Sequence, residues 1–319
     1  MRSVKLDSFV LLLAAMIILA KYAPGIERII PLDKISLYGI SGIFFFYGMK
    51  LNPEKMRKGL SNWRLHILIQ SATFILFPLL LLVLFPFIER EAHFTLWMSS
   101  FFLATLPSTV SSSVVMVSIA KGNIPGAIFN ASISGLIGIV VTPLWMGLFL
   151  ESRVGAFDLG QTFLELMLKI LLPVILGMIL HPFGGKLADR KKKYLTMFDK
   201  TVILIIVYES FSNSFSSGVF REIRAVELFT VGTGVIALFF MVYYLILLMS
   251  TWLNFKAEDE ITALFCGSKK SLVHGTVFSS VLFSGMDSSG IFLVPIMIYH
   301  AFQLFIISII AQKYQSDAR

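Results

Sequence analysis

Apolar blocks, each about 20 residues long, recur along the chain, and this is the length that an α-helix needs to cross a bilayer. Of the 319 residues, 56% are hydrophobic and only 14% are charged, whereas about 25% of the residues of a soluble domain are charged. The blocks lack the alternation of a transmembrane barrel strand, which excludes that class. The pattern predicts an all-α polytopic membrane protein with one integral domain over residues 1–319.

Ten membrane helices are predicted, with a kink at Pro78 in the third and an interruption near Pro107 in the fourth. They cover residues 7–21, 35–51, 63–87, 94–120, 125–150, 161–181, 196–219, 226–254, 261–285 and 290–312. Ten helices divide into two sets of five, and a set with an odd number of helices inserts opposite to its partner. We therefore expect two inverted five-helix repeats, about 1–151 and about 158–313.

The net charge of +8 reflects where the cations lie, so no nucleic-acid partner is expected. Most of the 27 Lys and Arg residues fall in the termini and loops that the ten-helix count places on one side. The positive-inside rule then predicts cytoplasmic termini and a cytoplasmic loop 184–200, in the inner or plasma membrane of the cell. The basic run 190–193 sets this topology, or alternatively contacts anionic lipid.

Two adjacent lysines, Lys269 and Lys270, lie near the middle of the predicted ninth helix. A charge at the bilayer centre costs at least about 2.5–3.5 kcal/mol, so both lysines need partners or water. Small residues around them, including Gly267 and Ser271, allow the backbone to open or another helix to approach. The alternative is a helix that starts later, with both lysines reaching the cytoplasmic surface.

The predicted fourth helix has a polar centre of the same kind, with Pro107 followed by Ser111, Ser112 and Ser113. The fourth and ninth helices hold corresponding positions in the two repeats. Interrupted segments at such positions indicate a transporter's binding site, because unwound carbonyls bind cations and helix N-termini attract anions. The three serines and Ser271 are therefore site candidates, and for the serines of helix four a capping role is an equal alternative.

Several motifs carry a resemblance to a known family. They read Leu-Pro-Ser-Thr-Val-Ser-Ser-Ser-Val-Val at 106–115, Lys-Gly-Asn-x-x-x-Ala-Ile-Phe-Asn at 121–130, Gly-Ile-Val-Val-Thr-Pro at 138–143, Phe-Cys-Gly-Ser-Lys-Lys-Ser-Leu at 265–272, and Pro-x-x-x-Tyr-His-x-x-Gln at 295–303. The chain resembles the bile acid:sodium symporter superfamily, in its SBF-like branch, over nearly its whole length. The resemblance implies a core of helices three to five and eight to ten, with helices four and nine crossing. It also implies a panel of helices one, two, six and seven, with substrate bound between panel and core.

The resemblance also shows where this chain departs from the sodium-dependent branch. In that branch a glutamate just before the helix-nine break coordinates sodium, and here Phe265 and Cys266 stand in its place. Lys269 and Lys270 replace a Gln-Asn pair. In helix four a Ser-Asn pair is replaced by Ser112-Ser113-Val114, and Gln70 in helix three matches a polar position near the second sodium site. A lysine ammonium at the break could act as a tethered cation. We therefore expect altered or absent sodium coupling, with proton coupling or facilitated diffusion instead.

Other polar residues within apolar helices are further candidates. Asn130 is expected to face the break in helix four, and Gln70 either lines an ion site or bridges two helices. Glu209 and Asn213 are central in helix seven, and we expect them to face the lysine pair. An ion pair or gate is the first role for Glu209, with a proton relay or substrate competition as alternatives.

Few residues suggest catalysis or metal binding. His274 and His300 are proton-relay candidates, although lone histidines in such positions are more often structural. Glu165 and Lys169 stand four apart and are predicted to pair on one helical face. No cluster of His, Cys and carboxylate residues has metal-ligand spacing, and no nucleophile–base pair stands out, so no metal, cofactor or enzyme activity is expected.

These features together predict a secondary transporter that moves a small organic anion or amphipathic solute by alternating access, with sodium or protons as candidate coupling ions. The alternative from another class is a non-transporting membrane regulator or scaffold that keeps the fold. Polar broken centres in both halves favour transport, since a scaffold has no reason to retain them. The sequence gives no indication of oligomeric state.

Overall fold

The computed structural model describes residues 8–26, 31–51, 54, 59–60, 62–88, 91–154, 159–284 and 286–317, which are helical and contain no strand. The described helices, labelled in chain order, are α1 Ser8–Tyr22, α2 Leu32–Lys50, α3 Trp63–Ser71, α4 Phe77–Leu82, α5 Glu91–Thr105, α6 Ser111–Ile119, α7 Ile124–Val154, α8 Leu159–Leu166, α9 Leu172–Arg190, α10 Lys192–Ser216, α11 Val219–Glu222, α12 Ala225–Trp252, α13 Ala257–Gly267, α14 Leu272–Leu282 and α15 Ser289–Asp317.

Every predicted helical segment contains helix in the structure, and most boundaries are shifted by a few residues, but the sixth continues beyond residue 181 to Arg190. Among the described residues, five helical stretches are long and apolar enough to cross a membrane, and α1 is a shorter apolar helix. The five are Trp63–Leu82, Ile124–Leu150, Leu164–Arg190, Ala225–Trp252 and Ser289–Ser316. The all-α membrane class is therefore confirmed, while the ten crossings and the inverted repeats stay predictions.

Both predicted interruptions are present. Helix α5 ends at Thr105 and α6 begins at Ser111, because the proline between them cannot donate a helical hydrogen bond. Helix α13 ends at Gly267 and α14 begins at Leu272, with the two lysines between them. The alternative of a later helix with both lysines at the surface is wrong, since residues 261–271 are buried and α13 begins at Ala257.

The irregularity predicted at Pro78 takes the form of a π-helical turn. Residues Ala72–Leu76 form this turn, in which the Phe77 N–H donates to the Ala72 carbonyl, and Pro78 follows in the first turn of α4. An α-helical pattern would pair the Thr73 carbonyl with Phe77, and a π-helical pattern would pair it with residue 78, which is proline. The turn therefore leaves the Thr73 carbonyl without its helical donor.

The predicted loop 184–200 is helical instead. Helix α9 continues to Arg190 and α10 begins at Lys192, so Lys191 alone separates them. Hydropathy indicates where a chain leaves the apolar layer, whereas intrahelical hydrogen bonds continue into water, so the two boundaries need not coincide. The cytoplasmic side of this segment stays a prediction.

The chain divides into two compact units, and the first comprises Met1–Asn52, Pro143–Ile223 and Val273–Leu293. Within it, α2 packs closely on α9 at two glycines. A Cβ on Gly48 would overlap the Val174 carbonyl oxygen, and one on Gly177 would overlap the Phe45 carbonyl oxygen. Small residues let two membrane helices approach to backbone contact, so these positions determine how closely α2 and α9 pack.

The second unit comprises Pro53–Thr142, Arg224–Leu272 and Val294–Arg319. Asp259, in the first turn of α13, accepts hydrogen bonds from the side-chain amides of Asn62 and Asn123, each at 2.7 Å. Asn62 caps α3, because its side-chain oxygen accepts the Leu65 N–H at 3.3 Å. One carboxylate thus ties together the starts of three helices within this unit.

Candidate functional site

The two helix breaks lie in the second unit and bond directly to each other. The Ser271 N–H donates to the Pro107 carbonyl at 2.9 Å, and the Ser108 hydroxyl donates to the Cys266 carbonyl at 2.6 Å. The Ser108 N–H donates in turn to the Ser134 hydroxyl at 3.0 Å. Unpaired backbone groups are unfavourable in an apolar layer, so each break satisfies the other and holds it in place.

The Lys270 ammonium lies at the end of α5. Its Nζ donates to the carbonyl oxygens of Thr73 at 2.7 Å, Ala104 at 2.6 Å and Leu106 at 2.8 Å, and it lies 4.1 Å from the centre of the Phe77 ring. The Lys270 side chain is fully buried. The last carbonyls of a helix lack helical donors, and the π-turn removes the donor from Thr73. Three N–H groups of one ammonium therefore meet three oxygens that the helices leave unsatisfied.

Lys269 has a different environment, although it is equally buried. Its Nζ donates to the Ser112 hydroxyl at 2.7 Å. The Thr109 hydroxyl lies 2.9 Å from the hydroxyl oxygens of both Ser112 and Ser113, so these side chains form one cluster. The structure thus brings together three predicted candidates, Lys269, Ser112 and Ser113. The side chain of the fourth, Ser111, lies outside the described residues.

Gln70 and Asn130 come together in a second polar cluster of the same unit. The Gln70 amide nitrogen donates to the side-chain and main-chain oxygens of Asn130, both at 3.1 Å. The Asn130 amide nitrogen donates to the Gly126 carbonyl at 2.9 Å and lies 2.9 Å from His66 Nδ1. These bonds join α3 to α7. Gln70 therefore bridges two helices, which was one of the two roles expected for it. They direct Asn130 towards α3, whereas the sequence led us to expect it at the break.

The two candidate proton-relay histidines have unlike surroundings. In the first unit the His274 ring lies edge-on to Phe44 and Tyr47, with ring centres 5.5 and 5.8 Å away. In the second unit the Nδ1 of His300 lies 3.1 Å from the amide nitrogen of Gln303. A relay role for either histidine stays a prediction.

The first unit contains a partly open cavity of about 620 Å³, lined by Glu209, Asn213 and Lys169 among others. The Ser36 hydroxyl donates to Glu209 Oε2 at 2.9 Å. Lys169 Nζ donates to Glu165 Oε2 at 2.6 Å, which confirms the predicted pair. Small-molecule sites commonly enclose about 300–1,000 Å³, so the cavity is large enough for an organic solute. The expectation that Glu209 and Asn213 face Lys269 and Lys270 stays a prediction.

A model of the SBF-like CPA transporter family matches residues 7–316. The chain belongs to this family. An uncharacterized protein of Pseudomonas aeruginosa is 34% identical over 309 residues, covering 97% of this chain and 92% of the relative. The Escherichia coli (strain K12) protein named "Putative symporter YfeH" is 33% identical over 311 residues, with 97% and 93% covered. Sodium/bile acid cotransporter 7 of Danio rerio is 28% identical over 315 residues, with 96% and 93% covered.

Membership of the SBF-like family makes the chain an integral membrane protein of a transporter family and confirms the resemblance to the bile acid:sodium symporter superfamily. Relatives that are named as a symporter and a cotransporter imply that members of this family act on a small-molecule solute. Among the described residues, no group of three or more His, Cys, Asp or Glu could hold a metal ion.

In this SBF-like protein, several residues that support the breaks were missed by sequence reasoning. Tyr299 donates its hydroxyl to the Ser268 carbonyl at 2.6 Å, and Gln303 bonds to the backbone of Lys270. Both lie in the motif at 295–303, and an amide inside an apolar helix is itself a signal of a polar partner. Ser108 and Thr109 carried no stronger signal than the serines beside them.

Proposed function

We propose that this protein is a secondary transporter that moves a small organic solute across the inner or plasma membrane by alternating access, without a sodium requirement. Family membership supports transport, because the names of two relatives include a symporter and a sodium/bile acid cotransporter. The observation that carries sodium independence is the contact of the Lys270 ammonium with three carbonyl oxygens.

Carbonyls at broken helices are the groups that hold Na⁺ in many transporters. Here three of them already bond to an ammonium, at 2.6 to 2.8 Å. A free cation added about 4 Å from that charge would be repelled by about 4 kcal/mol at an effective dielectric constant of about 20. Lys270 therefore acts as a tethered cation in this position. The energy for transport then comes from proton coupling, with Lys269 as a candidate group, or transport is facilitated diffusion.

We also propose the membrane architecture that this mechanism needs. It is a single domain over residues 1–319 with ten membrane helices as two inverted five-helix repeats, about 1–151 and about 158–313, crossing helices four and nine, and both termini cytoplasmic. The composition of the two units supports a panel and a core. The first unit holds α1, α2 and α8 to α10, which correspond to predicted helices one, two, six and seven. It also holds the end of α7 from Pro143, α14 from Val273 and the start of α15, which belong to predicted core helices five, nine and ten, so the correspondence with a panel is partial. The second holds α3 to α6, α12 and α13, from predicted helices three, four, eight and nine.

Thermal unfolding of the purified protein in sodium or choline chloride tests sodium independence. We expect the parent protein to melt at the same temperature in both salts. Lys270→Ala removes the ammonium and leaves three carbonyls unpaired, at a loss of at least about 2 kcal/mol. Sodium should restore part of this loss in Lys270→Ala but not in the matched control Lys269→Ala. Stabilisation of the parent protein that saturates with sodium would refute the tethered cation, whether or not the variants fold.

One observation also supports the alternative of a regulator or scaffold. The Lys270 ammonium satisfies three carbonyl oxygens next to the break, and a purely structural role explains these bonds as well as a transport role does. Labelling of Asn213→Cys with a membrane-impermeant thiol reagent separates the two functions, because the single native cysteine, Cys266, is buried. A transporter that alternates exposes position 213 to both sides of the membrane in turn. Labelling from one side only, under all conditions, would favour the scaffold.

A further inference from the structure

We infer that the corner between α9 and α10 binds an anionic phospholipid, with its headgroup on the basic residues and its acyl chains on exposed apolar residues beside them. The corner comprises residues 183–194 of the first unit. For the basic run 190–193 the sequence left lipid contact as an alternative to a role in topology. The inference goes beyond the proposed function and does not depend on which solute is transported.

The corner carries an excess of positive charge. Its cations are Lys186, Arg190, Lys191, Lys192 and Lys193, and its one carboxylate is Asp189. All six residues are exposed, and none forms a salt bridge with another residue that the structure describes. The first turn of α10 contains no acidic residue and no side-chain cap, although the macrodipole favours an anion at this end of a helix. An external anion would therefore meet opposite charge from every part of the corner except Asp189.

Apolar and basic side chains share one stripe of α9. Positions i, i+3, i+4 and i+7 of this helix hold Phe183, Lys186, Leu187 and Arg190, and such positions lie on one face. All four are exposed, with Phe183 at 87% and Leu187 at 60%, whereas Ala188 on another face is buried. A face that exposes large apolar side chains between cations suits the boundary between hydrocarbon and headgroups better than it suits water.

The length of the membrane helix places the stripe at that boundary. The apolar stretch Leu164–Arg190 has 27 residues, which corresponds to about 40 Å of α-helix, whereas the hydrocarbon layer is about 30 Å thick. A tilt of about 20° reduces the length along the bilayer normal only to about 38 Å. Several residues at an end of the stretch must therefore lie among the headgroups. The cations assign the Arg190 end, because a charge in hydrocarbon is unfavourable.

A phospholipid matches both kinds of side chain in the stripe. Its phosphate can accept two parallel hydrogen bonds from Arg190, and its acyl chains can cover Phe183 and Leu187. Tyr194 is 66% exposed, and the Lys191 ammonium lies 5.2 Å from the centre of its ring. Tyrosine is enriched at headgroup level in membrane proteins. An acidic soluble protein would neutralise the cations but would leave the apolar side chains of the stripe without an apolar neighbour.

Lipid-dependent thermal unfolding tests the inference. The full-length protein in detergent is heated with increasing dioleoyl phosphatidylglycerol or dioleoyl phosphatidylcholine, which share their acyl chains and differ in headgroup charge. The rise in melting temperature with concentration gives an apparent dissociation constant for each lipid. We expect phosphatidylglycerol to bind at least about tenfold more tightly, since each basic residue near a membrane surface contributes about fivefold. Raising NaCl to about 1 M should reduce the ratio below about threefold by screening.

Two further probes identify the source of the anion. sn-Glycerol 3-phosphate carries a phosphate without acyl chains, and at the same concentrations it should not stabilise the protein. Soluble polyglutamate represents an acidic protein segment and should also have no effect at these concentrations. Stabilisation by glycerol phosphate at the level of phosphatidylglycerol would assign the corner to a soluble phosphate, and the same result with polyglutamate would assign it to an acidic protein. Either outcome overturns the inference.

A pair of double variants locates the site. Lys186→Gln with Arg190→Gln removes both cations of the stripe and should lower the ratio of the two lipid constants at least about fivefold. The matched control is Lys256→Gln with Lys313→Gln, which removes the same charge from exposed positions outside the corner. Both control positions are predicted to lie on the same side of the membrane. The control should keep the ratio within about twofold of the parent protein.

The parent protein decides the matter even if the stripe variant does not insert or fold. Equal constants for phosphatidylglycerol and phosphatidylcholine would overturn the inference. An equal loss of preference in the two double variants would also overturn it, because overall charge and not the corner would then attract the lipid.

Discussion

Gln303 of α15 forms two hydrogen bonds with the backbone of Lys270. Its side-chain oxygen accepts the Lys270 N–H at 2.9 Å, and its amide nitrogen donates to the Lys270 carbonyl oxygen at 2.7 Å. All of these groups are fully buried. One side chain thus gives an unwound residue the two backbone bonds that a helix would have supplied, and it fixes the point from which the lysine side chain extends.

Gln303→Leu should therefore destabilise the protein, because it leaves a buried donor and a buried acceptor unpaired. We expect a loss of about 2–6 kcal/mol in the free energy of unfolding, from about 1–3 kcal/mol for each of the two unsatisfied groups. Thermal unfolding in detergent measures it. Gln312→Leu, at an exposed position of the same helix, is the control and should change stability by less than about 0.5 kcal/mol. Equal melting temperatures for the two variants would contradict the role of Gln303.

Lys269 and Ser112 should be energetically coupled, since the lysine donates to the serine hydroxyl at 2.7 Å. A double-mutant cycle with Lys269→Gln and Ser112→Ala is expected to give a coupling of about 1.5–3 kcal/mol, the range for a hydrogen bond to a charged group. The free energies of unfolding of the parent and the three variants supply it. Additivity within about 0.3 kcal/mol would show that the two side chains act independently.

The close contact of α2 with α9 predicts that adding a methyl group at Gly177 destabilises the protein. Gly177→Ala should destabilise the protein by about 1–3 kcal/mol, since the new methyl group meets a backbone oxygen that cannot rotate away. Gly234→Ala is a matched control, because a Cβ there has no neighbour within 4 Å. This control should be neutral or stabilising by up to about 1 kcal/mol, through higher helix propensity. A neutral Gly177→Ala would mean that α2 and α9 can separate without loss.

Reporter fusions test the proposed topology. Lys193 lies in the basic segment predicted to be cytoplasmic, and Arg221 lies one predicted membrane crossing later. Fusions of an alkaline phosphatase and of a fluorescent protein after these two positions should give opposite signals, with fluorescence at Lys193 and phosphatase activity at Arg221. The same signal at both positions is incompatible with ten helices.

The helix breaks could be predicted from sequence because their causes are local. A proline inside an apolar block and two lysines inside another are each incompatible with a regular buried helix. The partners of those residues were not predictable in the same way. Lys270 contacts oxygens from three separate positions, and main-chain oxygens have no signature in a sequence.

Other contacts in the structure differ from the sequence-based expectations because they join side chains that are far apart along the chain. Ser36 and Glu209 are 173 residues apart, so only the tertiary fold shows that they bond. Asn130 was placed at the break from its distance along α7, but its direction depends on α3, which supplies Gln70 and His66. The local pair Glu165 and Lys169 was predictable, because a spacing of four residues fixes it within one helix turn.

The π-turn at Ala72–Leu76 implies an unusual tolerance to change in this segment. Such a turn contains one residue more than an α-helical turn, and each residue of an α-helix advances by about 100° around the axis. Deleting a single residue here would restore regular α-helix, rotate one side of the segment relative to the other and withdraw the Thr73 carbonyl from Lys270. Substitutions that keep the length preserve the Thr73 carbonyl, because the Lys270 ammonium bonds to the backbone oxygen and not to a side chain. Chain length in this segment is therefore more tightly constrained than amino-acid identity.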